Sequence, residues 1–225
     1  MDPATLLGPK ENALLAFIPT IFNSTLRAAD PVFAGSKLIG SSSGAGFNIE
    51  GRSGGFDYFE FYGLLKLTRI EYQAPSGATL DKQSLFFWAA HLAPVFRPFK
   101  DRYLTISLGG GLVNEPVVKS LGGTSLAIDT VALPMAEFIV NWRFLEGASA
   151  SLGIEAGIEY LFYSNAAFVK YRNGLGLNAK IIARVATSFG EIYLAPVYRY
   201  RESTTTEMVS KRDEAAMELG FAFTL

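Results

Sequence analysis

Apolar and polar side chains alternate with a period of two along most of the chain, the pattern of β-strands with one apolar face. From Met135, one face carries Ala136, Phe138, Val140, Trp142 and Phe144, and the other Glu137, Ile139, Asn141 and Arg143. The next segment sets Leu152, Ile154, Ala156, Ile158, Tyr160 and Phe162 against Gly153, Glu155, Gly157, Glu159 and Leu161. Leu175 to Val185 oppose Gly176, Asn178, Lys180, Ile182 and Arg184; Ile192, Leu194, Tyr198 and Tyr200 oppose Glu191, Tyr193, Arg199 and Arg201. Earlier, Phe59, Phe61, Leu65 and Leu67 face away from Glu60, Tyr62 and Lys66. Residues 84–97 are apolar on both faces, with His91 and Arg97 on one and Phe86, Trp88, Leu92 and Phe96 on the other. Each apolar face is about five side chains long, which matches the roughly 9–11 residues of a tilted membrane-crossing strand.

Connections of two kinds separate these segments. Short ones are expected near 50–56, 97–102, 145–151 and 187–190, and longer ones at 73–84, 113–135, 163–174 and 202–214. Tight turns on one side and long loops on the other are the asymmetry of a transmembrane barrel. Nine strands are expected to start near 37, 56, 84, 103, 135, 151, 175, 190 and 215. An even count needs one more, and ALLAFIPTIF (13–22) is the apolar candidate despite Pro19, which cannot donate to a ladder. The expectation is one all-β domain over 1–225: a transmembrane antiparallel up-and-down β-barrel, ten strands favoured. Residues 1–36 are its N-terminal segment, as first strand or plug. Eight strands, with 11–50 as a plug or amphipathic helix, is the runner-up.

Composition narrows the chemistry. The chain has no cysteine and one histidine among 225 residues, which excludes disulfide scaffolds and cysteine- or histidine-rich metal sites. Its formal charge of −1 gives no basis for a nucleic-acid partner. The glycine pairs lack the lysine or strand-to-helix context of a phosphate loop, so no cofactor is expected. His91 has no serine at suitable local spacing, since Ser84 falls on the opposite strand face, and no enzyme activity is expected. The remaining signal is charge on the non-apolar face. Glu60, Lys66, Glu137, Arg143, Glu155, Glu159, Lys180, Arg184, Arg199 and Arg201 are the candidate lumen network. Hairpin pairing is expected to bring Arg143 beside Glu155, Glu137 near Glu159, Glu155 near Lys180 and Arg184, Glu159 near Asn178, and Arg199 alongside Asn178. Such charges must be paired or wet, as a plug or as a polar constriction.

The closing segment MELGFAFTL, with Met217, Leu219, Phe221, Phe223 and Leu225 on one face, resembles the last strand of bacterial outer-membrane barrels. Those strands usually end in phenylalanine, where this one ends in leucine. The architecture resembles the small monomeric barrels of the OmpA and OmpW type. That resemblance implies an outer-membrane monomer surrounded by membrane lipid or lipopolysaccharide and delivered by the barrel-assembly machinery through its last strand. Tyr58, Tyr62, Tyr72, Tyr163, Tyr171, Tyr198 and Tyr200 are expected toward strand ends, and Trp88 and Trp142 mid-strand. The leading functional expectation is a narrow passive channel for small polar solutes, or an envelope structural or surface protein. The alternatives are a soluble lipocalin-like barrel binding an apolar ligand, and an outer-membrane lipid hydrolase using His91.

Overall fold

The computed structural model describes residues 14–29, 37–52, 59–72, 80–81, 84–99, 104–122, 125–166 and 169–224. The strands are β1 (Leu14–Ala29), β2 (Lys37–Arg52), β3 (Phe59–Glu71), β4 (Leu80–Asp81), β5 (Ser84–Phe96), β6 (Leu104–Gly122), β7 (Ser125–Glu146), β8 (Ala150–Leu161), β9 (Ser164–Ala166), β10 (Val169–Thr187), β11 (Gly190–Thr205) and β12 (Val209–Thr224). Ten of them pair antiparallel with their neighbours in chain order, and β1 pairs with β12 to close the wall. The short β4 and β9 are accessories that pair with β7 and β10. The fold is therefore a closed ten-stranded up-and-down barrel.

The alternation decides which side chains enter. Along β1, Ala16, Ile18, Thr20, Phe22, Ser24, Leu26 and Ala28 are buried while their neighbours face outward. The first segment is thus a full strand, and the favoured count of ten holds over the eight-stranded alternative. Pro19 is tolerated because its ring points outward. The ladder to β12 pauses between Phe17 and Thr20, whereas the ladder to β2 continues through Pro19 and Phe47. Gly190, at the β10–β11 turn, has φ +145° and leaves no room for a Cβ beside the Ala222 carbonyl.

Outside, the wall is apolar: Ile21 is 65 % exposed, Leu92 62 % and Leu108 59 %. A soluble barrel cannot leave such a belt in water; a bilayer covers it. Aromatic pairs mark both margins. Phe17 and Phe223 (6.2 Å apart), Phe189 and Phe223 (5.6 Å), and Trp142 and Phe144 (5.7 Å) lie toward the end holding both chain termini. Tyr160 and Phe162 (5.1 Å) lie at the other. Trp142 is thus a margin residue, because β7 begins ten positions earlier than the alternation indicated. Tyr62, Tyr72 and Tyr171 lie toward strand ends, as expected, but are buried inside the barrel, while Tyr163 and Tyr198 are exposed. Tyr58 lies outside the described residues.

Three expected long loops are instead largely strand, 163–174 holding β9 and the start of β10. Residues 113–122 and 125–135 form the upper part of the β6–β7 hairpin, which pairs as far as Gly122 and Ser125. Within 202–214, β11 and β12 continue to Thr205 and from Val209. The β6–β7 extension leaves the wall. Its ladder to β5 ends at Ala89 and Val113, and its ladder to β8 ends at Met135 and Leu161. Beyond those points Glu115, Pro116, Val117 and Val118 are all buried, as are Ala127 and Ile128. Successive strand residues point to opposite faces, so both faces of this hairpin are covered. Val118 and Ile128 pack with Phe22, Leu26, Ile70, Tyr72 and Phe87, whereas Val117 packs with Leu133, Leu161 and Tyr171. The hairpin is folded into the barrel mouth, and β4 lies against its edge.

With the termini on the periplasmic side, single cysteines at Tyr163 and Glu207 should react with an impermeant maleimide on intact cells. Cysteines at Phe99 and Ala148 should react only after lysis. Equal labelling of both sets would refute this orientation.

Candidate functional site: a cross-braced lumen

The inward face carries charge at mid-height because the strands place acids and bases on the same parity. Three carboxylates, Glu155, Glu214 and Glu218, meet three cations, Lys66, Lys180 and Arg199. Lys180 lies 3.3 Å from both Glu155 and Glu218. Arg199 donates to Glu214 and Glu218, and Lys66 approaches Glu214 at 3.4 Å from β3. Asn48 donates to Glu218 (3.4 Å) and Asn141 to Glu155 (3.3 Å).

Nearer the mouth is a second set. Arg201 donates to Glu115 (2.6 Å) and to Glu159, and Arg212 lies 3.5 Å from Glu115. Gly176 stands beside the Arg201–Glu159 contact, where a Cβ would come within 2.8 Å of the Glu159 carboxylate. β6 and β12 are opposite staves of the ten, and the inward-folded hairpin carries Glu115 across to Arg212. Buried charges in so narrow a space persist when each finds a counter-charge and hydrogen bonds. Both sets are balanced in sign.

Glu137 and Glu159 face each other across the β7–β8 ladder. Like charges so placed repel, and each carboxylate turns to a separate base. Glu159 takes Arg201, while Glu137 lies 2.9 Å from His91 Nδ1. His91 is therefore held by a carboxylate from β7, deep in the wall.

Other expected contacts are redistributed. Arg143 stands opposite Gly153 and Asn141 opposite Glu155, with a bulge between Arg143 and Leu145 on the turn side. Arg143 pairs instead with Glu146 (3.5 Å). Arg184 stands opposite Ser151 and approaches Glu191 at 4.0 Å. Both arginines belong to the periplasmic rim rather than the central network. Glu159 stands opposite Gly176 rather than Asn178, while Asn178 and Arg199 face each other. The side chain of Glu60 lies outside the described residues. Glu115, Arg212, Glu214 and Glu218 are central residues missing from the candidate set.

The charged belt encloses a cavity of about 80 Å³ bounded by Lys66, His91, Glu155, Lys180, Arg199 and Arg201. At roughly 30 Å³ per molecule of liquid water, it holds a few waters. Above it the apolar side chains around the hairpin pack across the mouth. Among the described residues, no cluster of three or more histidine or acidic side chains is arranged to hold a metal ion.

No family model matches the chain, and no curated protein sequence matches it. Solved structures do. The outer membrane protease OmpT from Escherichia coli is 7 % identical, with 96 % of this chain and 97 % of that one covered and a TM-score of 0.51. The P. putida toluene transporter TodX matches at 9 % identity over 99 % of this chain and 92 % of its own, with a TM-score of 0.39. The translocator domain of the autotransporter NalP from Neisseria meningitidis matches at 11 % identity over 93 % and 88 %, with a TM-score of 0.42. These barrels are of different kinds and do not single out the OmpA and OmpW type. The chain has the fold and the apolar girdle of a bacterial outer-membrane β-barrel, and that membrane is where such a barrel resides.

Proposed function

We propose that this protein is a narrow, non-enzymatic outer-membrane channel for small polar solutes, closed in the state described. It works as a monomer in lipid or lipopolysaccharide, and β12 is its handle for the assembly machinery. The observation that carries this reading is the mixed-charge belt beside a water-sized cavity. A barrel needed only for its wall could fill this space with apolar side chains at no loss of stability, instead of burying six interlinked charges at mid-height. A polar constriction gains selectivity from them. The cross-lumen contact of Arg212 with Glu115 supports a second reading, a rigid cylinder with a structural or surface role.

Planar-bilayer recordings separate the two. Glu155→Ala removes one of three central carboxylates and leaves the cations in excess. The variant should conduct more than the parent and prefer anions more strongly. Silence from both proteins, with both folded by their shifted migration in unheated gels, would favour the rigid cylinder.

A further inference from the structure

The contact that closes the mouth has the form of a bound ligand. Glu115 presents its carboxylate to Arg201 and Arg212, and Ser203 donates to it at 3.5 Å. The two guanidiniums and the hydroxyl belong to β11 and β12, which are laddered to each other along their length. The carboxylate belongs to a segment of a different kind. Beyond Val113 the hairpin is no longer laddered to β5; it is held in the mouth by side-chain packing, by the short β4 ladder on β7, by one hydrogen bond from Asn114 to the Phe86 carbonyl, and by Glu115. Arg201 keeps Glu159 as a second partner, whereas Arg212 has Glu115 as its carboxylate and lies over the Phe87 ring at 5.4 Å. Two guanidiniums fixed in the wall, with a hydroxyl beside them, suit any small carboxylate, since paired N–H donors match its two oxygens.

We propose that Arg201, Arg212 and Ser203 form an anion-binding site for a small carboxylate solute, and that Glu115 is its built-in occupant. A solute carboxylate competes with Glu115, takes its place on the wall and frees the hairpin. This assignment deepens the channel reading by naming the solute class and the group that keeps the mouth shut.

The test uses the full chain folded in detergent and its unfolding temperature, read by gel migration. Glu115→Ala empties the site and should unfold several degrees below the parent. Sodium propionate, which reproduces the glutamate side chain from Cβ onward, should restore most of that loss; sodium chloride at equal ionic strength should not. Adding Arg212→Gln should abolish the propionate effect, and the parent should gain no stability from propionate, because there it can only exchange with Glu115 at a site already filled. If Glu115→Ala fails to fold, Glu115→Gln keeps the shape and is measured in the same way. Equal responses to propionate and chloride, or rescue that survives Arg212→Gln, would overturn the assignment. Rescue without any bilayer current would keep the site while refuting the channel.

Discussion

Replacing Glu218 with alanine should destabilise the barrel by about 3–5 kcal/mol, the usual cost of removing one partner from a buried ion pair. Glu218 is fully buried and is shared by Arg199, Lys180 and Asn48. Without it, Lys180 keeps Glu155 and Arg199 keeps Glu214, but three cations face two carboxylates in a space with little water. For a chain of this size the loss corresponds to roughly 10 °C in unfolding temperature. Glu202→Ala is the control. Its partner Lys211 is 3.2 Å away and both side chains are largely exposed, so removal should change stability by about 1 kcal/mol or less. Equal effects from the two substitutions would show that the central network does not hold the wall together.

Ala156→Arg should cost about 2–4 kcal/mol, the penalty for arginine at the bilayer midplane on a lipid-facing strand position. Ala156 faces outward on β8, between Val140 and Ala179, with the Trp142–Phe144 and Tyr160–Phe162 pairs toward opposite margins. The variant should fold into vesicles in lower yield and unfold earlier than the parent. Glu207→Arg, at an exposed outer turn, should leave both unchanged. An Ala156→Arg protein as stable as the parent would mean that this face does not meet lipid.

The wall was legible because lipid outside and charge inside impose opposite demands on successive residues. From Met135 to Phe144 and from Leu152 to Phe162, parity alone assigns every side chain to its correct side. The reading failed where strands run past the lipid. Above Glu202 the outward positions turn polar, and above Val113 both faces of the hairpin are covered, so in both places the alternation fades and hydrogen-bonded hairpin resembles loop. Carrying the parity of Glu218 backward reaches Glu214 and Arg212, and carrying that of Val113 forward reaches Glu115. The network members absent from the candidate set were therefore in phase with strands already recognised. Other features lie beyond any pattern. The bulge beside Arg143 turns both Phe144 and Leu145 outward and shifts the ladder by one residue. Contacts such as Lys66 with Glu214 join strands that never pair, so they follow from closure and not from register.

Closure also dictates the order of assembly. The ladder between Leu14–Ala29 and Val209–Thr224 joins the first strand to the last, so it forms after every intervening strand exists. Until then both strands carry rows of unpaired N–H and C=O groups, which water satisfies and hydrocarbon does not. A sheet one strand short has no stable place in the bilayer. Contacts so distant in sequence also make for slow folding. The chain must therefore be kept from aggregating until its final sixteen-residue strand arrives, and the seam where β12 meets β1 is the last part of the wall to be sealed.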